Sequence, residues 1–168
     1  MLVSEFMVPA AAAITCLPTD TIESALNKLA ENAISAVVVV DTKRIPVGIV
    51  TKTDMVKAFK DRVSLETHVE SIMTTCIKTV RSIAPRDEAA EVFDEFRIHH
   101  VIVVDQDLEF AGIISALDIV RETSLDGKAW PWHRQTDWPW KRHTGFVTTG
   151  IPTAGLLTPG LPVFPKEK

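Results

Sequence analysis

Two short motifs in the chain place a carboxylate three residues after a hydroxyl. They are Thr51 with Asp54 and Ser115 with Asp118, and each pair follows a glycine and two β-branched residues. A hydroxyl and a carboxylate at the first turn of a helix can hold a ribose diol, and the free N–H groups there attract phosphate. The same spacing is typical of a capping box, which only closes the helix end. One copy would favour capping, whereas two copies at matched positions favour a ligand site.

The two motifs belong to an internal repeat with a constant offset. The two copies match without a gap from Ile34 and Ile98 to Asp54 and Asp118. In each copy a continuous apolar stretch, a short polar turn and a second apolar stretch predict a buried antiparallel hairpin. A helix is predicted after each hairpin. A repeat of this length indicates one structural unit used twice.

Each unit also has an opening segment before its first helix. It consists of a turn that ends at a methionine, Met7 or Met73, and a short extended piece near Thr15 or Thr79. With the helix that follows, each unit is predicted to be β-α-β-β-α. The predicted fold is therefore a mixed α/β (α+β) pair of pseudo-symmetric repeats.

The starts of the two first helices differ in the sequence. Asp20, with Glu23 three residues on, is predicted to be the N-cap of the first helix. The interval from Asp20 to Ile34 is longer than the interval from Asp87 to Ile98. The second helix, or its loop, is therefore predicted to be about one turn shorter.

Charge and composition divide the chain into a body and a tail. Residues 1–126 carry a net charge of -8, and residues 127–168 carry +4. The tail holds six of the ten prolines and all four tryptophans, so it is predicted to be irregular. An acidic body argues against nucleic-acid binding by the body. The tail is predicted to be an arm that packs on a neighbouring chain or on the acidic body.

The cysteines, the absence of catalytic motifs and the hydropathy limit the classes of protein to which the chain could belong. Cys16 and Cys76 have no metal-ligand spacing and are predicted to be buried free thiols in a reducing compartment. We expect no metal site, and no motif for catalysis occurs, so no enzyme is predicted. No run of 18 apolar residues occurs and the N-terminus is a poor signal peptide. These features predict a cytoplasmic protein without a membrane segment.

With these motifs in place, the chain resembles a tandem pair of cystathionine-β-synthase (CBS) domains, also called a Bateman module. The resemblance covers residues 3–122 and includes both hairpin entries, Asp41 and Asp105, and the two hydroxyl–carboxylate motifs. It implies two repeats packed sheet to sheet, with two clefts that each mix both repeats. The sequence is divided accordingly into repeat 1 (1–62), a linker (63–68), repeat 2 (69–126) and the tail (127–168).

The resemblance also implies the residues of each cleft. Ser115 and Asp118 would hold the ribose of the first cleft, with His99 at the phosphate. The first cleft comprises Thr15, Ile34, Ser35, Ala36, His99, Ser115 and Asp118. The second cleft comprises Thr51, Asp54, Thr79, Ile98, His99 and His100. Ser35 replaces the histidine at the matched place of the second cleft, so the Asp118 cleft ranks first.

Three functions remain open at this point. The first is a regulatory module that binds an adenosine-containing nucleotide, with AMP first and ADP, ATP or S-adenosylmethionine as alternatives, and that reports to an effector protein. The second is a structural module without a small ligand, which forms a disc-like homodimer through its paired helices. The third and weakest is a nucleic-acid-linked regulator that uses the basic tail, which could also support a higher oligomer. No cofactor is required in any of them.

Overall fold

The structure is a computed structural model, and it describes residues 1–125. The first repeat contains β2 (Thr15–Cys16), α1 (Ile22–Glu31), β3 (Ala36–Val40), β4 (Pro46–Thr51) and α2 (Lys52–Lys60). The second contains β5 (Thr79–Arg81), α3 (Arg86–Phe96), β6 (His100–Val104), β7 (Phe110–Ser115) and α4 (Ala116–Leu125). A two-residue strand, β1 (Val8–Pro9), precedes them, and single 3₁₀ turns lie at Val3–Glu5 and Val69–Ser71. The predicted β-α-β-β-α order is confirmed in both repeats.

Each sheet contains one antiparallel hairpin, β3-β4 in the first repeat and β6-β7 in the second. In one sheet the order is β2-β3-β4, and in the other it is β1-β7-β6-β5. The short first strand pairs parallel with the hairpin's first strand, and the hairpin itself is antiparallel. All five residues of β3 are buried, as the continuous β-branched run predicted.

The hairpin turns are fixed by the aspartates that end the first strand of each pair. Asp41 Oδ1 accepts bonds of 2.8 Å from the N–H groups of Lys43 and Ile45. Asp105 Oδ1 does the same for the two matched N–H groups, at 2.9 and 3.0 Å. Arg44 has a positive φ of 65°, and the residue matched to it in the second turn has 64°. Asp41 and Asp105 therefore set the turns and, through them, the residues at which β4 and β7 begin.

The opening segments of the two repeats are exchanged. Val3 is fully buried in the core of the second repeat, and β1 pairs antiparallel with β7. Val69, the residue matched to Val3, is fully buried in the core of the first repeat. Thr74 exchanges two backbone bonds with Ile49, of 2.9 and 3.0 Å. Each repeat therefore completes its core with the segment that opens the other repeat. The division of the chain into residues 1–62, 63–68 and 69–126 remains a prediction.

The two repeats meet through the faces of β3 and β6 that point away from their own helices. Val38 and Val40 from the first repeat pack in one buried cluster with Ile102, Val104 and Phe110 from the second. The alternate residues of the same strands belong to the helix-side cores of their repeats. Because strand side chains alternate between faces, a central strand with both faces buried must be apolar throughout. Sheet-to-sheet packing is confirmed.

Some local expectations were wrong. Thr21, not Asp20, caps α1, because its side chain accepts a bond from the N–H of Ser24. Asp20 instead accepts a 2.9 Å bond from Lys28. α3 has 11 residues and α1 has 10, and the loop after α3 (97–99) is only one residue shorter than the loop after α1 (32–35), so neither is shorter by a turn. The prediction of a shorter α3 came from comparing Asp20 with Asp87, which do not occupy matched positions in the two repeats.

Two further predictions have separate outcomes. Cys16 is buried as expected, but Cys76 is exposed, because it lies in the irregular stretch between a 3₁₀ turn and β5. The predicted irregular tail, residues 127–168, lies outside the described residues.

Candidate functional site

Each hydroxyl–carboxylate motif lies where the hairpin passes directly into a helix. In the first repeat, Asp54 Oδ2 accepts bonds from the backbone N–H of Thr51 at 2.9 Å and from its hydroxyl at 2.7 Å. Thr51 Oγ1 in turn accepts a bond from the N–H of Asp54 at 3.3 Å. The capping box is present, with aspartate in place of glutamate.

The second repeat has the same arrangement. Asp118 Oδ2 accepts bonds from the N–H and the hydroxyl of Ser115, at 2.8 and 2.6 Å. The other carboxylate oxygen, Oδ1, lies 3.6 Å from Arg121, as Asp54 Oδ1 lies 3.8 Å from Lys57. Both cations are largely exposed, so these pairs are screened by water. Capping therefore occupies one oxygen of each carboxylate, and the second oxygen can accept a bond from a ligand.

Backbone bonds connect each strand entry to the motif of its own repeat. The carbonyl of Ser35 accepts a 3.1 Å bond from the N–H of Lys52, and the carbonyl of His99 accepts a 3.0 Å bond from Ala116. In the hairpin registers, Ala36 faces Thr51 in the same way that His100 faces Ser115. The residues entering β3 and β6 thus lie beside the hydroxyl–carboxylate motifs.

One polar contact crosses between the repeats at these entries. Ser35 Oγ lies 2.8 Å from His100 Nε2. His100 pairs with Ser115 on the neighbouring strand, and its electrostatic environment includes Asp118. The structure therefore brings Ser35, Ser115 and Asp118 of the predicted first cleft together around His100, a residue that was assigned to the second cleft.

The two adjacent histidines have different surroundings. His99 is exposed, whereas His100 is half-buried. Burial lowers the pKa of the His100 imidazole, His99 acts in the same direction, and Asp118 opposes them. His100 therefore favours the neutral form more than a solvent-exposed histidine does.

The remaining predicted residues differ in packing and exposure. Ile34 and Ile98 pack against the helix-side cores of their own repeats, so part of each side chain is already used in packing. Thr15 faces Val38 and is half-buried, while the matched Thr79 is exposed. Ligand contacts for all of these residues remain predictions.

The described residues contain no cluster of three or more side chains that could hold a metal ion. Burial raises the pKa of the Cys16 thiol to about 11. Cys16 lies in the core of the first repeat, where it acts as a small packing residue. Among residues 1–125, no helix is both long and apolar enough to cross a membrane.

Comparison with known proteins identifies the family. The model of the CBS domain matches residues 3–61 and 69–124, so the chain belongs to the CBS domain family. Inosine-5'-monophosphate dehydrogenase from Methanocaldococcus jannaschii is 32% identical over 108 residues, which cover 64% of this chain and 21% of the dehydrogenase. The chain spans between 21% and 63% of the length of the first curated relatives that it matches.

Solved structures of CBS domain proteins are similar over most of the chain. CBSX2 in complex with AMP is 25% identical with a TM-score of 0.68, over 76% of this chain and 98% of that one. The CBS domain pair of MJ0100, in complex with 5'-methylthioadenosine and S-adenosyl-L-methionine, is 28% identical with a TM-score of 0.68, over 75% and 98%. The fold of residues 1–125 is that of a CBS domain pair.

Proposed function

We propose that residues 1–125 form a ligand-sensing module that binds an adenosine-containing nucleotide in the cleft beside Asp118. AMP is the first candidate, and ADP, ATP and S-adenosylmethionine are the alternatives. The observation that carries the proposal is the convergence of Ser35, Ser115 and Asp118 around His100. The similar CBS pairs that hold AMP or methylthioadenosine and S-adenosylmethionine support the ligand class.

The carboxylate arrangement supports a ribose site. Asp118 Oδ2 is occupied by Ser115, while Oδ1 faces an exposed arginine across 3.6 Å. A ribose diol could donate to Oδ1 without breaking the cap, and the first turn of α4 would favour a negative group nearby. The bound nucleotide would regulate an effector protein by binding more tightly to one arrangement of the two repeats.

The test is calorimetry with AMP, ATP, adenosine and S-adenosylmethionine on matched variants. Asp118→Asn and Asp54→Asn each remove a charge while leaving an oxygen that can still accept the capping bonds. Since bonds to a charged group contribute about 1.5–3 kcal/mol, we expect Asp118→Asn to weaken AMP binding about 10- to 100-fold and Asp54→Asn to weaken it less.

Melting of both variants without ligand is the control for the cap. Similar melting temperatures would show that any change in affinity comes from the ligand contact. Equal losses of AMP affinity in the two variants would mean that the Asp118 cleft does not rank above the Asp54 cleft. Full affinity in both variants would mean that the carboxylates only cap their helices.

A second candidate function is an assembly module without a small ligand. The observation in its favour is a set of exposed apolar side chains on α2 and α4: Val56 at 67%, Phe59 at 87%, Leu117 at 56% and Val120 at 54% exposure. Such faces are typical of surfaces that pair with another protein, here a second copy of the chain. Sedimentation that shows a dimer, together with no thermal shift from any of the nucleotides, would favour this function over ligand sensing.

A further inference from the structure

His100 differs from the other candidate site residues because its side chain joins both repeats. It starts β6, and its side chain lies on the same strand face as Ile102 and Val104, which form the contact between the sheets. Its Nε2 lies 2.8 Å from Ser35 Oγ of the first repeat. His99, one residue earlier, is on the opposite face and exposed.

The matched position in the first repeat cannot make this contact. The offset between the repeats relates His100 to Ala36 and His99 to Ser35. Alanine has no polar side-chain atom, so the polar contact between Ser35 and His100 has no symmetric counterpart. The two clefts are therefore chemically different at the strand entry.

Within residues 1–125, two titratable groups act electrostatically on the imidazole. They are His99, which precedes it in the chain, and Asp118 on α4, whose carboxylate lies 3.6 Å from Arg121. Burial and His99 lower the pKa of His100, so the imidazole is mainly neutral at neutral pH in the free protein. Ser35 can either donate to a neutral Nε2 or accept from a protonated one, so this bond is compatible with both charge states.

We infer that His100 is the residue with which the Asp118 cleft recognises the charge of its ligand, and that the cleft selects 5'-phosphorylated nucleosides by taking up a proton on His100. The inference rests on the proposed function and assigns the phosphate contact to His100 instead of His99. A phosphate near the imidazole stabilises its protonated form. Ser35 keeps the ring in place in both states.

The experiment measures proton uptake directly. AMP and adenosine are titrated by calorimetry at pH 7.5 in buffers with different ionisation enthalpies, using wild type and the His100→Gln, His99→Gln and Ser35→Ala variants. Glutamine keeps a polar group beside Ser35 but cannot take up a proton. We expect AMP to bind with more proton uptake than adenosine, and His100→Gln to abolish that difference.

The other variants give the matched controls. His99→Gln should retain the uptake, and Ser35→Ala should retain it with weaker AMP binding. His100→Gln should weaken AMP binding about tenfold at pH 6.5, as expected for losing a charged hydrogen bond, and adenosine binding by less than about threefold. NMR titration of the imidazole should show that AMP raises the pKa of His100.

Three results would overturn the inference. Uptake that persists in His100→Gln, uptake that disappears in His99→Gln, or an AMP-independent pKa of His100 would each remove it while leaving nucleotide binding intact. If neither AMP nor adenosine bound to the wild type, the proposed function would be wrong, and this assignment with it.

Discussion

The glycines that open the hydroxyl–carboxylate motifs offer a sharp test of the exchanged segments. A Cβ added at Gly112 would lie 2.5 Å from the carbonyl oxygen of Val8 and 2.9 Å from the sulfur of Met7. A Cβ added at Gly48 would lie 2.6 Å from the sulfur of Met73. The main obstacle at Gly112 is therefore backbone, whereas the main obstacle at Gly48 is the end of a flexible side chain.

The two Gly→Ala variants should consequently differ in stability. At Gly112, strand β1 must move away from β7, which strains the 2.8 Å bond from the N–H of Ala10 to the carbonyl of Ala111. Overpacking costs about 1–3 kcal/mol and a lost hydrogen bond about 0.5–1.5, so we expect a loss of about 2–4 kcal/mol. At Gly48 the methionine can rotate, and about 1 kcal/mol is expected.

Thermal and urea unfolding measure both variants under the same conditions. At about 2–4 °C per kcal/mol, Gly112→Ala should lower the melting temperature by roughly 4–16 °C and Gly48→Ala by about 2–4 °C. The substitution is the same at matched strand positions, so differences in intrinsic propensity cancel. A Gly112→Ala variant as stable as Gly48→Ala would refute the close packing of β1 on β7.

The other predictions concern the cores and pH. Val3→Ala and Val69→Ala should each cost about 1.5–3 kcal/mol, because both side chains are fully buried. Hydrogen–deuterium exchange should then increase first in β6 and β7 for Val3→Ala and in β3 and β4 for Val69→Ala. The reverse pattern would contradict the finding that the opening segments are exchanged between the repeats. Since folding lowers the pKa of His100, its contribution to stability is present above about pH 6.5 and is lost as the pH falls through the lowered value. The melting temperature should therefore fall below about pH 6.5, and His100→Gln should reduce that fall; an unchanged profile in the variant would assign it to other groups.

The sequence was sufficient for the parts of the fold that depend on local signals. The constant offset between the copies, the apolar strands and the i, i+3 motifs at Thr51 and Ser115 can all be read from short stretches, and each appears where it was expected. The N-cap of α1 was missed because two capping residues, Asp20 and Thr21, are adjacent. The offset that relates Ile34 to Ile98 also relates Thr21 to Pro85. Extending it toward the N-terminus would have located the starts of both α1 and α3.

Contacts between distant parts of the chain could not be obtained in this way. Val3 and Val69 open their repeats in the sequence, but nothing local indicates that each completes the opposite core. The motif glycines were considered only as part of a ligand site, whereas the structure requires them for the close approach of Met7 and Met73. A glycine matched in both repeats, next to a strand end, was the signal that could have indicated a packed neighbour.

The exchange and the contact at Ser35 together give a reason why the two clefts should not behave alike. The cores are nearly symmetric, so both repeats can be held in one arrangement by equivalent apolar contacts around Val38 and Ile102. The entry to β6 adds a polar side-chain link between the repeats, at Ser35 and His100, that the entry to β3 does not repeat. A ligand that changes the charge of His100 therefore acts on a group in contact with both repeats. Ala36, which the sequence assigned to the Asp118 cleft, instead faces Thr51 of the Asp54 motif, so a ligand there meets only a methyl group. Coupling between ligand charge and the arrangement of the repeats is thus expected at the Asp118 cleft and not at the Asp54 cleft.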